Sequence, residues 1–164
     1  MEIVVGISGA SGVGYGVRLL QVLSDKGCVT HLIMTDSARK IMRIETDFSA
    51  QDVANLAAYV HSPDDFAAPV ASGSHLFDAM VVIPCSMGTL SGIACGSSDT
   101  LITRAADVCL KEKRRLILVP RETQGVKVGS PYQKAGMAAD FSWERSAYGY
   151  QQLYEWAIAR MRGR

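Results

Sequence analysis

Residues 3–16, Ile3-Val4-Val5-Gly6-Ile7-Ser8-Gly9-Ala10-Ser11-Gly12-Val13-Gly14-Tyr15-Gly16, decide how this chain is read. An apolar, β-branched run passes into a turn dense in glycine and serine, and Tyr15 to Lys26 then carries Val17, Leu19, Leu20 and Leu23 at helical spacing before the stop signal Lys26-Gly27. Strand, glycine-rich turn and helix together aim backbone N–H groups and the positive end of a helix dipole at one point, which favours a phosphate. The spacing Gly9-x-x-Gly12-x-Gly14 is not the dinucleotide pattern G-x-G-x-x-G, and the lysine of a P-loop is missing. ATP and NAD therefore fall in rank. The glycines alone also suit a tight turn and close helix packing, but that role does not need Ser8 and Ser11 beside them.

Working outward, further short apolar runs predict strands over Glu2–Ser8, Val29–Met34, Ala79–Pro84 and Leu116–Pro120. Helices are expected over Tyr15–Lys26, Asp36–Ile44, Ala50–Tyr59 and Leu101–Lys113, with a loop from Ser62 to Ser74. Such alternation is the pattern of βαβ units around a parallel sheet. The stretch from Gln124 to Ser142 is irregular, and Ala147 to Arg162 resumes a helical pattern. One domain is expected over 1–164, with an irregular tail over about 124–164.

The composition agrees with a single core. Of 164 residues, 48% are hydrophobic and 20% charged, and the formal net charge is +1. Only Lys111-Glu112-Lys113-Arg114-Arg115 forms a basic block, so neither nucleic acid nor a membrane surface is an expected partner. No apolar stretch approaches the roughly 18–20 residues that span a bilayer. Cys28, Cys85, Cys95 and Cys109 have no CxxC spacing and no secretory leader is evident, which predicts reduced thiols in a cytoplasmic protein. His31, His61 and His75 show no metal-ligand spacing, and no metal is assigned.

Polar clusters follow three of the expected strands. Pro84-Cys85-Ser86-Met87-Gly88-Thr89 follows an almost wholly apolar, hence central, strand and should face the same crevice as the opening loop. Cys85 reads as a small buried hydrophobe, whereas Ser86 and Thr89 suit a ring edge or a phosphate, or in the case of Ser86 a helix cap. Pro120-Arg121-Glu122-Thr123 is a third such turn. Arg104 and Lys111 lie seven residues apart on one expected helix face, where they either reach an anion together or meet solvent. Glu45, between Ile44 and Phe48, is either a partly buried proton-transfer group with a raised pKa or a capping residue. Trp143, Trp156, Tyr148, Tyr150 and Tyr154 read as packing or subunit contacts.

The stretches VGISGASGVGYGVRLLQVL, IETDFS, IPCSMGTLSGIACG and LITRAADVCLKEKRRLILVPRET, in this order, resemble the UbiX-type flavin prenyltransferases, long described as decarboxylase subunits. The resemblance runs from Ile3 to Thr123. It implies a flavodoxin-like (Rossmann-like) three-layer α/β/α domain with a mostly parallel sheet, which binds FMN between the subunits of a homo-oligomer, usually a dodecamer. It further implies transfer of a dimethylallyl group from dimethylallyl phosphate to reduced FMN, without metal, to give prenylated FMN for a UbiD-type decarboxylase. By position, Gly9, Ala10, Ser11, Thr35, Ser86, Met87, Gly88, Thr89 and Arg121 would hold the flavin. Ser11, Glu45 and Glu122 would handle protons, and Arg104, Lys111 and Arg121 would meet the prenyl phosphate.

Beyond Thr123 the resemblance ends. By the same resemblance, Tyr148 would take the place of the family's phosphate-binding tyrosine and Arg160 that of the arginine of its terminal helix, both across altered spacing. Two alternatives follow. One is an FMN or prenylated-FMN carrier without catalysis; the other is an FMN-dependent cysteine decarboxylase of the same fold, although that group's histidine and Pro-Ala-x-Asn motif are not visible here.

Overall fold

In the computed structural model, which describes residues 1–121, the apolar runs become a five-stranded, wholly parallel sheet. In chain order the elements are β1 (Glu2–Ile7), α1 (Val13–Asp25), β2 (Val29–Met34), α2 (Asp36–Glu45), α3 (Ala50–Ala54), β3 (Tyr59–His61), β4 (Ala79–Cys85), α4 (Met87–Ala94), α5 (Leu101–Lys111) and β5 (Arg115–Pro120). The strands lie in the order β3-β2-β1-β4-β5. Without the three-residue edge strand β3, this is the opening of the flavodoxin-type order, and the direction of winding reverses between β1 and β4.

Strands buried on both faces need apolar residues at every position, which explains the unbroken runs. On one face Ile3, Val5, Ile7, Leu32 and Met34 pack against Val13, Val17 and Leu20 of α1, Ala38 and Met42 of α2 and Val53 of α3. On the other, Val4, Ile33, Met80 and Val82 meet Leu101, Ile102, Ala105 and Val108 of α5 and Ile93 of α4. Each large aliphatic side chain so buried contributes about 1.5–3 kcal/mol. Helix α1 lies close against the sheet: a Cβ on Gly16 would fall 2.5 Å from the Ile83 carbonyl oxygen and 2.9 Å from Ile7 Cδ1.

Differences from the sequence reading have local causes. The helix expected over Ala50–Tyr59 ends at Ala54, after one turn started by the Ser49–Asp52 capping box, and the chain then extends into β3. Helix α4, only implied by the capping role of Ser86, is a full element although Gly88, Ser91 and Gly92 lower its propensity. The expected loop over Ser62–Ser74 contains a single 3-10 turn at Pro69–Ala71. Glu122, Tyr148, Arg160 and the helix expected over 147–162 lie outside the described residues.

Candidate functional site

The carboxyl ends of β1, β2 and β4 lie side by side, and each feeds a helix N-terminus. Pro84 has no N–H for the ladder, and the β4–β5 register shifts between Val82 and Cys85. The Pro84 carbonyl is taken up by Ser8 instead, accepting from its backbone N–H at 3.2 Å and from its Oγ at 2.9 Å. Ser8 Oγ in turn accepts from the Ser86 N–H at 2.7 Å. This buried hydroxyl ties the turn after β1 to the start of α4, which is the crevice where ligands bind in such sheets.

Ser86 caps α4, its Oγ accepting from the Thr89 N–H at 3.2 Å and lying 3.0 Å from Thr89 Oγ1. The next residues, Met87 and Gly88, are exposed, and a Cβ on Gly88 would meet nothing within 4 Å. Thr35 caps α2 by accepting from the Ala38 N–H at 3.1 Å, and its own N–H reaches the Ile7 carbonyl at 3.1 Å. Gly9 packs on α2 so closely that a Cβ would fall 2.4 Å from Ser37 Cβ. Ser37 escaped the sequence reading; the signal was the hydroxyl-bearing Thr35-Asp36-Ser37 directly after an apolar strand.

The N-terminus of α1 holds an anion of its own. Gly12, in the left-handed region at φ 95°, is the N-cap and has no side chain to offer. Glu45, from the end of α2, fills that place: its Oε2 accepts from the Gly12 N–H at 2.8 Å and its Oε1 from the Ser11 hydroxyl. The bond from Ser11, then that from Gly12, holds the Glu45 carboxyl below its ordinary value, and the Val13 N–H and the charge of Arg121 act in the same direction. Of the two readings of Glu45, the structure bears out the cap and not the partly buried group with a raised pKa: Glu45 is exposed, its pKa is lowered, and the phosphate-favouring helix end behind the opening loop is taken by this carboxylate. An open depression of about 420 Å³, bordered by Gly12, Gly14, Tyr15, Arg18, Glu45 and Thr46, adjoins the pair.

Arg121 joins this edge through its backbone, donating to the Cys85 carbonyl at 3.0 Å. Cys85 is fully buried, as expected for a small hydrophobe, and burial pushes its thiol up to about 11. Among the described residues, the other expected cations, Arg104 and Lys111, lie towards opposite ends of α5 and turn to separate partners. Arg104 donates to the Ala71 carbonyl at 3.1 Å and to Asp107 at 3.1 Å. Lys111 closes α5 just before β5 enters the sheet at its amino edge, opposite the crevice, with Glu112 at 3.8 Å.

A family model described as Flavoprotein matches residues 1–126. Over 122 residues the chain is 55% identical to a flavin prenyltransferase UbiX of Thermoplasma acidophilum, covering 74% of this chain and 67% of that protein. This chain belongs to the UbiX-type flavoproteins. It is 53% identical over 123 residues to the flavin prenyltransferase UbiX of Salmonella typhimurium, covering 74% of this chain and 65% of that one. Relative to these curated UbiX proteins, the chain spans about two thirds of their length or less. Among solved structures, a dodecameric FMN-dependent UbiX-like decarboxylase from Escherichia coli superposes with a TM-score of 0.76 at 47% identity, covering 84% of this chain and 74% of that one. AnUbiX in complex with FMN and dimethylallyl pyrophosphate gives 0.74 at 47% identity, covering 77% and 68%. An FMN-dependent cysteine decarboxylase at 19% identity shares the fold alone.

Proposed function

We propose that this chain binds FMN at the β1–β4 crevice and acts as a flavin prenyltransferase, joining a dimethylallyl group from dimethylallyl phosphate to reduced FMN. The observation that carries this reading is the crevice itself: the Ser8–Ser86 bond fixes two turns together, and Gly88 opens onto empty space. The residues suit a flavin. Of the first N–H groups of α4 that have no partner within the helix, that of Thr89 is met by the Ser86 cap, and the exposed Met87 and Gly88, with Thr89 half-buried beside them, would face the ring system. Gly9, Ala10, Ser11, Thr35 and Ser86 would border the remainder, with Arg121 completing the site.

When bound, reduced FMN supplies the N5 and C6 positions to which the five-carbon unit is attached. The protein's part is orientation, exclusion of water, stabilisation of the leaving phosphate and proton handling. Glu45 is an acceptor held ionised, and the Ser11 hydroxyl that donates to it would relay a proton from the reacting centre. Glu122 would serve as a second acid, beside Arg121. Arg104, Arg121, Tyr148 and Arg160 would meet the prenyl phosphate, and Lys111 joins them only where a neighbouring copy presents it.

The wider reading is a homo-oligomer in the cytoplasm, a dodecamer like its solved relative, that hands prenylated FMN to a UbiD-type decarboxylase. Anaerobic incubation of the chain with reduced FMN and dimethylallyl phosphate, followed by mass spectrometry of the extracted flavin, tests the reaction. A gain of one five-carbon unit supports it. FMN that binds and is recovered unchanged overturns it in favour of a carrier.

A further inference from the structure

Three histidines without any informative spacing in sequence meet in space at the amino end of the sheet, away from the flavin crevice. Parallel pairing sets His31 beside Val4 and Tyr59, so Glu2 and His31 share one face of the sheet. His31 Nε2 lies 2.8 Å from Glu2 Oε1 and His75 Nε2 lies 2.7 Å from the same oxygen. The other nitrogen of His31, Nδ1, lies 2.9 Å from His61 Nε2.

We propose that Glu2, His31 and His75 form a site for a divalent transition-metal ion, with Zn²⁺ as the best-suited ion and His61 as the outer partner of His31. Two imidazole nitrogens and a carboxylate oxygen within 4.8 Å of one another are the donor set that Zn²⁺ takes, with a fourth position left to water. In a tetrahedral site with bonds of about 2.0–2.1 Å the donors stand about 3.3 Å apart, so the carboxylate oxygen would draw back by about half an ångström from each ring nitrogen and the two imidazoles, within 4.8 Å of each other, would close by up to about 1.5 Å. The ion takes the place of the ring protons that otherwise bridge to Glu2. His31 then carries its proton on Nδ1 and donates it to His61, the second hydrogen bond that orients a metal-bound imidazole.

The surroundings hold this geometry in place. Glu2 and Asp78 exchange bonds, the Glu2 N–H reaching Asp78 Oδ2 at 2.7 Å and the Asp78 N–H reaching the Glu2 carbonyl at 2.8 Å. Arg114 clamps the loop bearing His75, donating to the carbonyls of His75 at 2.8 Å and Gly73 at 2.7 Å. Its guanidinium lies 4.4 Å from the centre of the Phe77 ring. His31 is stacked on Tyr59 at 4.8 Å and is only 3% exposed, whereas Glu2 and His75 are about 30% exposed and give an ion its entry. An ion here would clip β1, β2 and the loop before β4 together without touching the flavin crevice.

The test is calorimetric titration of the chelator-stripped full chain with Zn²⁺, with Co²⁺ as a spectroscopic substitute. One equivalent should bind, giving a Co²⁺ spectrum of nitrogen and oxygen ligation without a thiolate band. His61→Gln should weaken binding by about 10–100-fold, and His75→Ala and Glu2→Gln by more, with FMN affinity unchanged. Because a variant can fail to fold, ring-nitrogen NMR of the wild-type chain provides an independent readout: one equivalent of Zn²⁺ should shift the Nε2 resonances of two histidines. Absence of stoichiometric binding, a thiolate spectrum, unmoved histidine resonances, or unchanged affinity in folded His75→Ala and Glu2→Gln would each overturn the proposal.

Discussion

Ser8 and Ser86, 78 residues apart, share a 2.7 Å hydrogen bond that joins the turn after β1 to the cap of α4. Removal of the buried Ser8 hydroxyl leaves the half-buried Ser86 N–H without that acceptor, at a cost of up to the about 1–3 kcal/mol of an unmet buried donor. Ser8→Ala is therefore expected to lower the urea midpoint by that amount of stability and to weaken FMN binding at the same time. Urea denaturation and a flavin-fluorescence titration on the same preparation check both. A stable variant with unchanged FMN affinity would show that the link does not set the crevice.

Gly88 separates binding from folding. Nothing of the protein lies within 4 Å of where its Cβ would be, so Gly88→Val should leave the fold within about 0.5 kcal/mol of wild type, as ordinary surface substitutions do. The added methyl groups would stand where the ring system is proposed to lie, and overpacking of that kind costs about 1–3 kcal/mol. FMN affinity should fall about 5–150-fold with the thermal midpoint unmoved. An unaltered affinity would move the flavin away from this helix.

The thiols offer a check on burial that involves no ligand. Burial lifts Cys85 to about 11 and Cys109 to about 12, whereas Cys95 is exposed. Because the thiolate is the reacting species, iodoacetamide on the native chain near pH 8 should label Cys95 rapidly and leave Cys85 and Cys109 intact. After denaturation all four cysteines should react. Peptide mass mapping reads the difference, and rapid native labelling of Cys85 would contradict the packing of β4 described above.

How far the sequence discloses this protein depends on the kind of signal each feature leaves. β2 spans Val29–Met34 as expected and β1, β4 and β5 differ by one residue at an end, because fully buried strands write themselves as apolar runs. β3 leaves no such run: Tyr59 and Val60 are exposed on an edge, and the apolar spacing of Val53 and Leu56 mimics a longer helix. The turns at Ser86 and Arg121 were legible because polar residues directly follow apolar strands. The Glu2–His31–His75 cluster was not, since the parallel pairing of β1 with β2 and the loop before β4 bring together residues 29 and 73 positions apart, and nothing in linear spacing encodes that. Glu45 lay between. Its type and apolar neighbours marked it, but its environment is set by the N–H groups of Gly12 and Val13, which only the fold supplies.

The Ser11–Glu45 pair yields the sharpest pH prediction. A carboxyl held below its ordinary value of 4.5 in the folded chain releases its proton more readily there than in the unfolded chain, so it adds stability above that value. That contribution is lost as the pH falls through the folded pKa. Glu45→Gln keeps an acceptor for Ser11 and Gly12 but cannot titrate, so the stability gap between wild type and variant should be largest near neutrality and shrink as the pH falls below 4.5. Urea midpoints across that range measure it, and a gap that widens in acid would reverse the assigned direction. In turnover, the same variant should still bind FMN, while prenylated product should form at least about tenfold more slowly, given the about 10²–10⁴-fold that positioned acids and bases contribute. If the stability profile behaves as described but turnover is unchanged, Glu45 is a cap for α1 and not a proton acceptor.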